Sequence, residues 1–367
     1  MKSFYDINFK NKTVILRVDI NSPVVGKKVI LSERIIEASK TIKELKDREA
    51  KIIVLAHQGR KGDKDFISLK QHAKLLNKFT KISFVADICG KNAIEKIKKL
   101  KSKEAILLEN IRYLDEELKE DAEYVKILSK YADIYINDAF SVSHRAQASI
   151  VGFPKFLKSY FGPSMKRELD ALKKITSKKA LLILGGSKTE ENCSLISKKN
   201  KIIVGGRFGQ LYMFSKGFDF GKNNEYLDKE NLKLIREKSK EVQIIHPIDF
   251  AVKQGKKRKE ISIDKFPNHY EVFDIGKKSI ELFKNEIKKS KFIFMKGPLG
   301  YCEEKQFRKG TLEILKEIAK SKSFSVLGGG HLSTLIKDSR INKNKFGYIS
   351  LSGGALVSYI AKKELPG

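Results

Sequence analysis

The sequence predicts an α/β chain of two domains, each a parallel β-sheet flanked by helices. Three observations carry this. At 367 residues the chain is longer than a single hydrophobic core usually serves. Its first half alternates apolar runs with amphipathic stretches, the pattern of βαβ units. Its second half contains five apolar runs that each end in a glycine cluster: 181–186, 201–206, 292–300, 324–330 and 348–354.

Taken in order, TVILRVDIN (13–21) reads as a strand buried on both faces, and 34–47 as the helix that follows it. KIIVLAHQG (51–59) is a second strand, 69–79 a helix, 81–85 a strand, 91–104 a lysine-rich helical segment and 105–110 another strand. Residues 120–131 form a helix and 133–140 close the first domain's pattern as a strand. In a parallel sheet the carboxyl ends of the strands converge on one crevice. Those ends carry Arg17, Asp19 and Asn21, then His57 and Arg60, then Arg112, then His144 and Arg145, while Arg34 begins the first helix. A scattered arginine is ordinarily a surface residue. Here the shared position implies a pocket for a small, highly anionic molecule, because the planar guanidinium matches phosphate and carboxylate. Asp19 and Asn21 would serve its hydroxyls.

Gly162 and Pro163 punctuate the end of the first domain, and 161–175 reads as a hinge helix. The expected domains are 1–161 and 162–350, with a short helix and tail, 351–367, returning to the first. Glycine after a strand lets backbone N–H groups approach a ligand, and a following helix N-terminus favours anions. One such cluster is ordinary turn punctuation; five in half a chain read as a phosphate-binding face. GGSKT is not a P-loop, since Ser187 and Leu182 occupy the required glycine positions. His246 reads as a core histidine and Asp249, at a strand end, as a weaker candidate for the active-site cleft, whereas the basic run at 253–260 reads as a solvated turn.

Composition narrows the class further. Hydrophobic residues make up 41% of the chain, and no apolar run approaches the length needed to cross a bilayer. Charges at the N-terminus fall where a signal peptide would be apolar, and Cys89, Cys193 and Cys302 lack metal-ligand spacing. A cytoplasmic protein with reduced thiols is expected, without membrane attachment. The net charge of +31 admits a polyanionic partner, and a non-catalytic nucleic-acid-binding protein is the rival reading. Most of the excess is lysine spread along helical faces, which reads instead as solvated surface, with no nucleic-acid partner.

RVDIN with the following SERI, AHQGR, LLENIRY, INDAFSVSHRAQAS, LGGSK, DIG, GPLGYCEE and GGGH, in this order over nearly the whole chain, resemble the phosphoglycerate kinase family. The resemblance implies two Rossmann-like domains joined by a hinge helix, in a monomer. It implies reversible transfer from 1,3-bisphosphoglycerate to MgADP, giving 3-phosphoglycerate and ATP, in glycolysis and gluconeogenesis. Magnesium would arrive as the nucleotide complex, with no resident metal site. By the same resemblance Asp19 and Asn21, with Ile20 between them, hold the glycerate hydroxyl and carboxylate. His57 and Arg60, with Gln58 and Gly59, together with Arg112 and Arg145, hold the substrate phosphate, and Arg34 lies beside the transferring group. On the nucleotide side the matching positions are Gly185, Gly186, Lys188, Gly206, Pro298, Glu303 for the ribose, and Gly328, Gly329, Gly330 and His331. Arg34, Lys188 and Gly330 are the implied catalytic set. The chain departs from the bacterial and eukaryotic pattern in three places. Asn192 stands where a second lysine is usual, Lys296 where an asparagine precedes the GP motif, and His331 where an aspartate contacts magnesium. The first and third of these look similar to archaeal members. Arg207 in GGRFG, where small residues usually follow the glycines, reads either as a phosphate contact or as a cap on the pocket.

Overall fold

A computed structural model describes residues 4–367, which divide into two compact units. One runs from the N-terminus to Leu169 and includes Glu364–Gly367; the other is Asp170–Lys363. The division falls inside the helix Pro163–Thr176, and the Gly367 amide donates to the Ser143 carbonyl at 3.1 Å.

The first unit is built on β1 (Thr13–Val18), a short hairpin of β2 (Val24–Val25) and β3 (Lys28–Val29), β4 (Lys51–Leu55), β5 (Ser83–Phe84), β6 (Ala105–Leu107), β7 (Ile134–Asp138) and β8 (Lys158–Phe161). Its sheet has the order β5-β6-β4-β1-β7-β8, with every pairing parallel. β1 is central, and five of its six residues are buried. Val14 and Leu16 pack with Ile35, Ile42 and Leu45 of the helix Glu33–Asp47 on one face. Ile15 packs with Tyr124, Tyr135 and Phe153 on the other. Each such aliphatic side chain contributes roughly 1.5–3 kcal/mol through its burial. β8 is absent from the expectation above: KSYF is a short edge strand, only partly buried, and its apolar signal is weak. Asp138, at the end of β7, accepts from the Met165 amide at 2.8 Å and so caps the start of Pro163–Thr176.

The second unit contains β9 (Leu181–Leu184), β10 (Lys201–Val204), β11 (Ile244–Ile245), β12 (Asp249–Gln254), β13 (Lys257–Ser262), β14 (Glu271–Ile275), β15 (Phe292–Lys296), β16 (Phe324–Gly328) and β17 (Tyr348–Ser350). Six of these form a second parallel sheet, β11-β10-β9-β15-β16-β17. The helices Lys277–Lys289 and Lys309–Lys320 lay Ile280, Phe283, Ile287, Ile314, Leu315 and Ile318 onto its core.

The remaining three strands form an antiparallel sheet, β13-β12-β14. The basic run at 253–260 is therefore a hairpin rather than a solvated turn, with Lys253 opposite Arg258 and Gly255 turning at φ +60°. The lysines concealed a two-residue alternation. Arg258 points inward to the Asp274 carboxylate at 2.7 Å, while its neighbours Lys257 and Lys259 are exposed. Asp249 also turns inward: its carboxylate accepts from the Lys278 and Ser279 amides at 2.9 and 2.7 Å, which caps Lys277–Lys289.

Candidate active site

In each parallel sheet the strand order reverses next to one central strand, and ligands of open α/β sheets bind beyond the carboxyl ends at that reversal. In the first unit the reversal lies at β1, between β4 and β7; in the second it lies between β9 and β15.

The loop after β1 is shaped by its own polar side chains. Asp19 Oδ1 accepts from the Asn21 amide at 3.0 Å, and its Oδ2 meets Arg34 Nη1 at 2.8 Å. Ser141 Oγ donates to the same carboxylate oxygen, a contact that sequence reasoning missed because the serine lies more than a hundred residues away. Asn21 Oδ1 in turn accepts from the Gly59 amide at 3.1 Å, which ties the loops after β1 and β4 together. Gly59 sits at φ +66°, and a Cβ there would lie 2.5 Å from the Asp65 carbonyl oxygen, so the tight turn requires glycine. Arg112 Nη1 donates to the Gly59 carbonyl at 2.5 Å.

The cations gather around His57. Arg17 is fully buried: Nε donates to Ser149 Oγ at 2.9 Å, Nη1 to the Val18 carbonyl, and Nη2 meets His57 Nδ1 at 3.1 Å. Glu117 supports it by accepting from Ser149 Oγ at 2.7 Å and from the Tyr124 hydroxyl. Because arginine only donates, His57 Nδ1 must accept, which leaves the proton on Nε2. Burial first, then Arg17, Arg112, Arg34 and Arg145, hold the imidazole pKa well below 6.5, so the ring is neutral. The Arg112 guanidinium is pulled down to about 10 by its own burial and then by Arg17 and Arg145. Burial first, and then their mutual repulsion, leave these guanidinium groups short of a counter-charge. Arg145 is half-buried and donates to His144 Nε2 at 3.3 Å, and Arg60 is exposed. Ile20 and Gln58 differ from the rest. Ile20 packs into the core, while the Gln58 amide bonds Ser22 on both sides and accepts from His72 Nε2 at 2.9 Å. Their side chains brace the loops.

The glycines of the second unit fall into two classes. Gly185 N donates to the Lys296 carbonyl and Gly186 N to the Pro298 carbonyl, both at 2.7 Å, and Gly206 N donates to Leu299 O at 3.1 Å. A Cβ on Gly185 would lie 2.3 Å from the Pro298 oxygen, and one on Gly206 would lie 2.7 Å from it. These residues let three strand ends interlock, and their amides are engaged in doing so. Gly329 (φ +110°), Gly330 and Gly353 have nothing within 4 Å of a Cβ, so their backbone borders open space. Gly328 belongs to β16 and packs against Leu356. Lys188 is exposed, with Nζ 3.1 Å from Glu191 Oε1. Glu303 and His331, far apart in sequence, stand 3.8 Å apart and largely exposed at the same edge. Arg207 lies over the Tyr226 ring at 5.3 Å, a cation–π contact. His246 Nδ1 is 3.0 Å from the Pro247 carbonyl, and its ring faces Tyr212.

The chain matches the model of the phosphoglycerate kinase family over residues 4–363. Among curated relatives, the phosphoglycerate kinase of Sulfurisphaera tokodaii is 39% identical over 98% of this chain and 93% of its own length. That of Methanopyrus kandleri is 36% identical over 98% and 95% respectively. Among solved structures, the phosphoglycerate kinase of Pyrococcus horikoshii superposes with a TM-score of 0.91 at 35% identity, covering 100% of this chain and 97% of its own. The Coxiella burnetii enzyme gives 0.85 at 28% identity, with the same coverage. The two switch points, the buried cation cluster and a match that runs almost from end to end agree: the chain belongs to the phosphoglycerate kinase family.

Proposed function

We propose that the cation cluster of the first unit holds the phosphoglycerate and the glycine face of the second holds the nucleotide. The chain is a phosphotransferase with a carboxyl group as acceptor. It moves a phosphoryl group reversibly between 1,3-bisphosphoglycerate and MgADP, giving 3-phosphoglycerate and ATP, in glycolysis and gluconeogenesis. Magnesium enters as part of the nucleotide substrate.

The observation that carries the residue assignment is the group of arginines around a neutral His57. A substrate with a carboxyl group at one end and a phosphate at the other needs several fixed cations, and His57 Nε2 supplies an N–H donor among them. Asp19 holds Arg34 by an ion pair and keeps one fixed guanidinium beside the glycerate loop, where charge grows on the moving phosphoryl oxygens. Arg60, Arg112 and Arg145 take the substrate phosphate. Gly329 and Gly330, whose backbone borders open space, take the nucleotide phosphates with Lys188, and Glu303 takes the ribose. Transfer is direct and in line, without a covalent enzyme intermediate, since positioning and charge suffice. Closure about the helix Pro163–Thr176 excludes water, and the 1–161, 162–350 and 351–367 division is part of this reading. No helix among the described residues is long and apolar enough to cross a membrane, and a cytoplasmic site of action belongs to the same reading.

The test is a coupled assay in which purified protein phosphorylates 3-phosphoglycerate with MgATP. Turnover that falls about 10²–10³-fold in Arg34→Met supports the reading. Absence of turnover, together with tight nucleic-acid binding at physiological salt, would replace it with the polyanion-binding rival.

A further inference from the structure

Lys296 is the last residue of β15, at the place where the second sheet's strand order reverses, paired with Leu184 on one side and Gly328 on the other. A lysine there is unusual in physical terms. Its side chain is only 10% exposed, and a buried ammonium needs a counter-charge. That counter-charge is shared. Glu191 Oε2 lies 3.0 Å from Lys296 Nζ, while Oε1 of the same carboxylate lies 3.1 Å from Lys188 Nζ. Two ammonium groups on one carboxylate leave the cluster one positive charge in excess. It adjoins the interlocked loops of Gly185 and Pro298. Burial pulls the Lys296 pKa below its ordinary value despite Glu191, with Lys188 adding to the effect.

The third member of the cluster is Asn192. Its Nδ2 donates to the Gly185 carbonyl at 2.9 Å, which turns Oδ1 toward Lys296 Nζ at 3.2 Å. Asn192 and Lys296 are two of the three positions at which the chain departs from the family's bacterial and eukaryotic pattern, and they touch. Where that pattern has lysine at 192 and asparagine at 296, this chain has the reverse. A lysine at both positions would place two ammonium groups side by side in a poorly solvated site, a repulsive arrangement. Asparagine at both would leave Glu191 without its buried partner.

We propose that Lys296 is a nucleotide-phosphate-binding residue of this chain, supplying from the end of β15 the cation that the wider family supplies from position 192. Glu191 keeps the ammonium in place between turnovers, and the excess positive charge of the cluster is met by the phosphates of the bound nucleotide. The proposal rests on the assignment of the glycine face to the nucleotide.

The experiment is a residue exchange, read by calorimetric binding of MgATP and by steady-state kinetics on the full chain. K296N should lower kcat on the order of 10²-fold, the scale of losing one fixed cation at a transferring group, with 3-phosphoglycerate affinity unchanged. N192K alone should also lose activity. The double variant N192K/K296N should recover at least about tenfold over K296N, because the cation returns to the same place from the helix Thr189–Leu195. A structural role for Lys296 would not give that rescue. A folded K296N with wild-type kcat, or a double variant no better than K296N, overturns the proposal. If K296N does not fold, N192D retains Lys296 and places a second carboxylate beside it. Weaker MgATP binding by N192D supports the proposal, and unchanged binding overturns it. The binding measurements stand without turnover, so an inactive wild type would count against the kinase reading and leave the Lys296 result interpretable.

Discussion

On the proposed assignment, the two half-sites handle anions by different physical means. The first unit uses side chains. Apart from the exposed Arg60 its cations are buried or half-buried, and Arg17 is fixed by a network from Tyr124 and Glu117 through Ser149 and on to His57. The second unit uses backbone. Its strand ends interlock through Gly185, Gly186 and Gly206, while Gly329, Gly330 and Gly353, which follow β16 and β17, border open space. The first arrangement fits a small acid whose groups must be recognised one by one. The second lets a polyphosphate lie close to the chain with few charges to desolvate. A site made of side chains should be sensitive to the loss of one charge; a site made of backbone should be sensitive to the gain of one methyl group.

The largest effect that tests this contrast is expected at Arg34. Its guanidinium is held by Asp19 Oδ2 at 2.8 Å, so it is positioned before substrate arrives. Arg34→Met should reduce kcat by about 10²–10³-fold while 3-phosphoglycerate affinity changes much less, because a fixed cation acts mainly on developing charge. Kinetics and calorimetry on the same preparation check it. Equal losses in both would remove Arg34 from the transferring group.

Lys188→Met should come next. The side chain is exposed and, among the described residues, tied to Glu191 alone, so less of its effect is preorganised. A kcat loss on the order of 10²-fold with weaker MgADP binding is expected, without change in 3-phosphoglycerate binding. An unaltered rate would exclude the lysine from the transition state.

On the backbone side the two glycine classes should separate. Gly185→Ala drives a Cβ against the Pro298 carbonyl, a contact of 2.3 Å that neither strand end can relieve cheaply, so a stability loss of about 1–3 kcal/mol is expected. Gly330→Ala meets nothing within 4 Å and should leave the melting temperature nearly unchanged while weakening nucleotide binding. If both variants melt alike, the division of the glycines into interlocking and ligand-facing residues fails.

Much of this organisation was legible in the sequence, for a definite reason. Parallel strands buried on both faces leave continuous apolar runs, and carboxyl-end residues follow immediately, so Asp19, His57, Arg112 and Arg145 could be placed from local pattern alone. What was not legible depends on distant partners. Ser141 meets Asp19 across the fold, and Gln58 turns away from the pocket because Ser22 and His72 claim its amide. The hairpin at 253–260 was hidden by lysines whose long stems tolerate either face of a strand. The unequal glycines share one composition, and only the position of Pro298 tells them apart.

The smallest effect concerns the brace beneath the first site rather than the site itself. His72 is fully buried; Nε2 donates to Gln58 Oε1 at 2.9 Å, and Nδ1 has no hydrogen-bond partner among the described residues. Protonation would place a charge on that bare nitrogen, and burial lowers the ring's pKa to about 4 from 6.5. A depressed histidine contributes stability above its unfolded pKa that is lost as pH falls from about 6.5 toward 4, since the unfolded chain then binds the extra proton. Asp138 works in the opposite sense. Burial raises its carboxyl to about 6, so its contribution is present below 3.8 and lost as pH rises through 6. The two overlap in the wild-type curve, and a variant separates them. The stability difference between wild type and His72→Gln, measured by urea unfolding, should shrink by about 1.4 kcal/mol between pH 7.5 and pH 5.5. A difference that stays constant would mean that His72 takes up its proton in the fold as readily as in the unfolded chain, and the neutral brace linking it to Gln58 would have to be abandoned.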